Sequence, residues 1–226
     1  MQDMWLTLAP LIAGSAVVPI QIIVTILLLR SVHGRGTAVA WVAGMTTLRL
    51  LQGLVFGLLL GAKGGATASS SGGGFVVPTL LLVLAVLFYV LAVKQLLHQP
   101  DEDAPPPKWL TMAATLTPAK AFLFGFGVLA IGAKFWIFTI GATAAIGDAQ
   151  LGRSGSILMF LLFVTLAECI ELALIGFAYA MPTRADSVLD GFSGFLQRSN
   201  RVIVIALGLV FGTWFLIKAL NGLGIL

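Results

Sequence analysis

The chain has 226 residues, 59% hydrophobic and 10% charged, with a mean hydropathy of +1.05. A soluble domain carries about 25% charged residues, so an ordinary soluble enzyme or binding module is excluded. The apolar runs are far longer than barrel strands, which leaves an all-α integral membrane protein.

Six spans of about 20 residues or more can be drawn, over 4–29, 37–61, 75–97, 121–147, 155–180 and 202–224. The start, Met1 to Trp5, lacks the basic region of a cleavable signal, so the first span is expected to stay in the membrane. Pro19 near its middle removes a backbone hydrogen bond and invites a break, with Gln21 just beyond. A short basic loop, Arg30 to Gly36, leads to a second span carrying Thr46, Arg49 and Gln52 near its centre. Lys63 then opens into GGATASSSGGG, a flexible linker by composition.

The third span is apolar up to Lys94 and Gln95, and an acidic, Pro-rich loop, QPDEDAPPPKW, follows it. The fourth holds Gly125, Gly127, Gly132 and Lys134. Small residues commonly serve close packing in membranes, and the glycines are read so, while Gly132 also marks a candidate break with Pro19 and Gln21. The fifth span carries Thr165, Glu168 and Glu171, three apart and so on one helix face. The sole cysteine, Cys169, excludes an intrachain disulfide. Before the sixth span, Val188, Leu189, Phe192, Phe195 and Leu196 recur at helical spacing between charges, which predicts an amphipathic helix over 183–198 at the interface.

The pI near 9.6 does not mark a nucleic-acid partner, because the basic residues fall mainly in short loops beside the spans. With the N-terminus outside, the inner side holds Arg30, Arg35, Lys94, Lys108, Lys120, Arg184, Arg198 and Arg201. The outer side holds Lys63, Arg153 and Lys218, so both termini are expected outside a bacterial inner membrane.

The chain also contains a weak internal repeat. A shift of 119 residues lays Gly36, Thr46, Arg49, Gln52 and Gly57 on Gly155, Thr165, Glu168, Glu171 and Gly176. A shift of 124 lays YVLAVKQLL (89–97) on TWFLIKALN (213–221), and a shift of 114 lays Val18 to Gln21 on Gly132 to Phe135 and Thr25 on Thr139. Three spans is an odd number, so the halves, 1–98 and 121–226 joined by a loop over 99–120, would be inverted repeats. Equivalent residues at mid-span then face each other, and Arg49 is predicted to approach Glu168.

A charge at the bilayer centre costs roughly 2.5–3.5 kcal/mol on insertion scales, so Arg49, Lys134, Glu168 and Glu171 must face a partner or a pathway. The plain reading is a network joining the two halves. The sharper one is a substrate or ion pathway that also includes Thr46, Gln52 and Thr165. Within it, Arg49–Glu168 is the more structural pair and Glu171, with Lys134, the group that exchanges a proton; burial and a nearby cation act on a carboxyl in opposite directions. Enzyme signals are poor. Two GxSG patterns, at Ser154 and Ser193, fall in loops or interface, and the only histidines, His33 and His98, also lie at loops, so no span supplies a base. No metal motif or phosphate-cradling loop is present, so neither a metal nor a cofactor is expected.

PIQIIVTILLL in span one, WVAG at the start of span two, VLAVKQLL closing span three and PKW…LTPAKA before span four resemble the glycolipid-addressing (GAP, or Sap) family, over nearly the whole chain. That family is placed in the lysine-exporter (LysE) superfamily. The resemblance implies six helices in inverted three-helix repeats and an inner-membrane exporter of a small solute or lipid-like amphiphile. The competing class is a non-transporting accessory protein of a glycolipid export system. Membrane lipids, the substrate, further copies of the chain or export machinery would be its partners. Where the family has a Ser-Pro-Ile-Pro-like start in span one, this chain has Val18-Pro19-Ile20-Gln21. Where the family has Asn-Pro-Lys-Asn, this chain has Gly132-Ala133-Lys134-Phe135, which keeps the lysine, loses the proline, and predicts a less sharply broken span four.

Overall fold

A computed structural model describes residues 2–31, 33–63, 73–97 and 115–225. Among them are nine helices: α1 (Gln2–Ala16), α2 (Pro19–Leu29), α3 (Gly34–Lys63), α4 (Gly73–Leu97), α5 (Pro118–Ile131), α6 (Ala133–Asp148), α7 (Gly152–Ala167), α8 (Cys169–Ala180) and α9 (Pro182–Gly222). No strand occurs among the described residues. Most of the Gly/Ser linker and all of the acidic loop QPDEDAPPPKW lie outside them.

Three stretches are straight, long and apolar enough to cross a membrane: Gly34–Gly57, Pro78–Leu97 and Arg201–Gly222. Three more qualify only as bent pairs, α1–α2 at 46°, α5–α6 at 74° and α7–α8 at 63°. Each break has a local cause. Val18 is extended (φ −100°, ψ 104°) before Pro19, whose ring cannot continue the hydrogen-bond ladder. Gly132 takes nearly the same conformation (φ −77°, ψ 98°), and a Cβ there would run into the Phe135 ring and Val128 O. The α5–α6 pair, where the less sharp break was expected, is bent the most, although no proline stands there.

The third break was not expected. Glu168 leaves helical geometry (φ −116°, ψ 14°) although no Pro or Gly lies between Thr165 and Glu171. Thr165 Oγ1 donates to Leu161 O at 2.9 Å, as Thr25 and Thr139 do to Gln21 O and Phe135 O within unbroken helices, so what sets this position apart is that Glu168 is held from the side by α3. The amphipathic segment over 183–198 is also not a separate helix. It runs unbroken into the last span as α9, 41 residues long, with Leu189 buried and Val188 and Phe195 exposed.

Pairs of helices fix the packing. α4 and α9 run antiparallel. Pro78 meets Gly222, Tyr89 Oη and Thr213 Oγ1 are 2.8 Å apart, and Arg201 donates to Gln95 O and Leu96 O at 3.2 and 3.0 Å. α3 runs antiparallel to α7–α8, with Arg35 stacked 5.1 Å above the Tyr179 ring and Gly53 against Phe160. α1 opposes α6, with Leu11 on Gly141 and Phe138 on Gly14. Where α3 crosses α5, Gly44 faces Phe122 O and Gly125 faces Trp41 O, so the backbones touch. Gly125 is therefore the close-packing glycine, whereas Gly127 faces open space.

Candidate functional site

Two of the three helix breaks converge on one buried cluster. Arg49, in mid-α3, is fully buried. Its Nε donates to Glu168 Oε1 at 3.1 Å and its Nη2 to Ser15 Oγ at 2.8 Å. Glu168 is the residue at the α7–α8 break, and Ser15 sits one residue before the end of α1. The Thr46 hydroxyl lies between Val42 O, at 2.9 Å, and Glu168 Oε2, and can donate its one proton to either. A single guanidinium thus ties α3 to the two helix ends that its own half and the other half leave broken. The approach of Arg49 to Glu168 is the one the 119-residue shift anticipates.

Around this pair the hydrogen bonding is incomplete. Arg49 Nη1, both polar atoms of Gln52 and both carboxyl oxygens of Glu171 are buried, and none has a hydrogen-bond partner. Glu171 is fully buried in the first turn of α8, where the helix dipole favours a carboxylate, and its charge is within reach of Arg49. An unsatisfied buried polar group costs about 1–3 kcal/mol, so atoms left this way call for an explanation. What they can do chemically is bind a polar group or water, or pass a proton.

Thr165 does not belong to the cluster. The break at Glu168 turns it to the surface, where its hydroxyl is spent on Leu161 O. Lys134 lies in the first turn of α6, but its side chain lies outside the described residues. Gln21, in the first turn of α2, is buried with its Nε2 unpartnered. Pro19 and Gly132 stand at breaks as expected. Sequence reading missed Ser15 and Trp41. The only signal for Ser15 was a hydroxyl in the small run Gly14-Ser15-Ala16 ahead of the break, and Trp41 looked like ordinary apolar filling.

Among the described residues no group of three or more His, Cys, Asp or Glu could hold a metal ion. The carboxylates also stand beside Arg49, which would repel a cation. These features define a multi-pass helical membrane protein with an ion-paired cluster buried where its helices break. The family model described as Sap, sulfolipid-1-addressing protein, matches residues 8–221, and the chain belongs to that family. No curated protein and no solved structure matches it.

Proposed function

We propose that this protein is an inner-membrane exporter of a lipid-like amphiphile, working as a secondary transporter through the Arg49–Glu168–Glu171 cluster. The family's description names sulfolipid addressing, which supports a role in lipid export. In this reading each bent pair is one span, and six spans form two inverted three-helix repeats of the kind found in the lysine-exporter superfamily. Three features support the repeat. Arg49 meets Glu168 and Tyr89 meets Thr213, the residues that the 119 and 124 shifts pair. The 114 shift lays one helix break on another, and Thr25→Gln21 O on Thr139→Phe135 O as matching back-bonds of 2.8 and 3.0 Å. Equivalent spans run antiparallel, as inversion requires.

The observation that carries transport over scaffolding is the set of unsatisfied buried atoms at Arg49, Gln52 and Glu171. A static joint between halves gains nothing from leaving them unpaired, whereas a site that opens to water, substrate or a proton on each cycle must leave them free. Both termini lie outside in this reading, and no catalysis or cofactor takes part. The accessory reading has one observation of its own: Arg49 and Glu171 are fully buried, so the cluster is sealed in this conformation.

Reconstitution decides between them. In proteoliposomes carrying a fluorescent sulfated glycolipid on one leaflet, the wild type should speed its transfer when a pH gradient is imposed. Glu171→Gln should lose that gradient dependence, by about tenfold or more. A folded wild type that moves no lipid under any gradient would leave the scaffold reading standing, and a Glu171→Gln variant that keeps the gradient response would remove Glu171 from the coupling step.

A further inference from the structure

The seam between α3 and α7–α8 is closed in different ways on the two sides of the Arg49–Glu168 pair. Toward the start of α3 it is thick. Ala38, Trp41, Val42 and Met45 are buried there with Ile175 and Ala178 of α8, none more than 7% exposed. The α3 and α5 backbones also touch at Trp41 and Gly125, so this side opens only if two helices part. Toward the end of α3 the seam is thin. Past Gln52, none of residues 53–57 of α3 and none of residues 152–162 of α7 is buried.

One side chain closes the thin side. A Cβ on Gly53 would run into Cε1 and Cζ of Phe160, so the ring fills the space that any other residue would need. Gly53 lies one turn, about 6 Å, beyond Arg49 on the same face of α3, and it follows Gln52 directly. Phe160 is only partly buried, and its ring packs on Phe163 at 6.0 Å. The 119 shift lays Trp41 on Phe160, which shows how the two halves differ at this level. Trp41 is held through its backbone. At Gly53 the three atoms nearest such a Cβ all belong to the Phe160 ring, and a ring can turn about its side-chain bonds where a backbone carbonyl cannot.

The flanks of the ring are hydrocarbon, with Leu54 and Val55 of α3 and Leu158 and Leu161 of α7 all exposed. A polar solute is not helped by leaving through such a wall, because its polar groups would go unsatisfied in the bilayer interior. An amphiphile is suited to it. Its polar group would answer Gln52 and Arg49 Nη1, which have no hydrogen-bond partner, while its chains stay in lipid.

We propose that the seam between α3 and α7 is a lateral exit for the amphiphile, and that the Phe160 ring seated on Gly53 is its door. The inference rests on the transport reading and adds the route. The lipid leaves sideways into the leaflet at the α3 C-terminal end, the outer one in the orientation proposed above, and not through a pore to water.

The test uses the full chain in proteoliposomes of phosphatidylcholine that carries a diazirine midway along one acyl chain. After photolysis, mass spectrometry maps and quantifies where the chain has inserted. The wild type should take insertions at outward-facing residues such as Leu54, and none at Gln52. Gly53→Ala drives the ring from its seat and Phe160→Ala removes it, and each should raise insertion at Gln52 about tenfold or more. Leu158→Ala, a truncation on the lipid-facing side, should not. The double variant Gly53→Ala, Phe160→Ala gives the new methyl room, and keeps the test alive if the crowded single variant does not fold. Insertion at Gln52 that stays at the wild-type level in Phe160→Ala and in the double variant would overturn the door. Wild-type insertion at Gln52 equal to that at Leu54 would overturn it too, since the seam would already stand open. If insertion rises and the sulfated glycolipid is not moved, the door stands and the transport reading fails. If the glycolipid moves and insertion does not rise, transport stands and the lateral exit is overturned.

Discussion

Arg49 joins three helices, since it pairs with Glu168 at the α7–α8 break, beside Thr46, and also reaches Ser15 in α1. Breaking a buried ion pair by removing one member costs about 3–5 kcal/mol, since the other is left charged and unpaired. Arg49→Met should therefore lower the unfolding midpoint in detergent steeply. Arg49→Met with Glu168→Met should recover most of the loss, because a buried pair replaced by apolar groups of similar volume is often nearly neutral. A single variant as stable as the wild type would mean that the pair holds nothing together. Glu171→Gln should behave differently and leave stability within about 1 kcal/mol, as its oxygens have no hydrogen-bond partner to lose. The pair was legible in the sequence because two opposite charges stand one repeat apart. Ser15 was not, because a lone hydroxyl among small residues does not reveal what will reach it.

At the level of elements, the broken helices were partly written in the chain. Pro19 announces its break by removing a backbone donor, although Pro10 and Pro78 are accommodated inside α1 and α4. Gly132 was ambiguous, since a glycine in a membrane helix serves close packing as readily as a break, and spacing alone does not separate the two. The structure separates them by what a side chain would meet. At Gly44 and Gly125 a Cβ would collide with the backbone of the crossing helix, at Phe122 O and at Trp41 O. A backbone carbonyl cannot rotate away as a side chain can, so Gly125→Leu or Gly44→Leu should force α3 and α5 apart and destabilise by about 1–3 kcal/mol or more. Gly127→Leu and Gly176→Leu point into open space and should stay within about 0.5 kcal/mol. Thermal unfolding of the four variants side by side checks the contrast, and a loss at Gly127 equal to that at Gly125 would contradict the crossing. The break at Glu168 had no signature of that kind. It coincides with the grip of α3 on Glu168, which could have been suspected only from the charge pairing. The run into α9 was missed for the opposite reason: a change from amphipathic to wholly apolar pattern marks a change of surroundings, not an end of helix.

For the molecule as a whole, the open question is whether the 74° bend between α5 and α6 belongs to a helix that crosses the membrane or to a loop that turns back. Contacts along α3 bear on it. Phe124 of α5 stacks on Trp41 near the start of α3, with ring centroids 5.1 Å apart. Past the bend, Trp136 of α6 meets Phe56 near the far end, at 6.0 Å. From Trp41 to Phe56 the helix rises about 22 Å, most of a hydrocarbon core of about 30 Å. The chain thus advances along α3 through the bend instead of reversing. The far ends agree, since Thr7 of α1, Pro78 of α4, Asp148 of α6 and Asn221 of α9 line one cleft and so share one end of the bundle. If each bent pair is one span, as proposed above, the chain makes three crossings between His33, before α3, and Arg153, at the start of α7: α3, α4 and the α5–α6 pair. Cysteines at these two positions, in a Cys169→Ser background, should react with an impermeant thiol reagent from opposite faces. With the basic residues inside, Arg153→Cys should label in intact cells and His33→Cys only after permeabilisation. The reverse pattern would invert the orientation and keep the crossings. Labelling of both from one face would make α5–α6 a re-entrant loop, and with it the inverted repeat would be lost, because the second half would no longer contain three crossings.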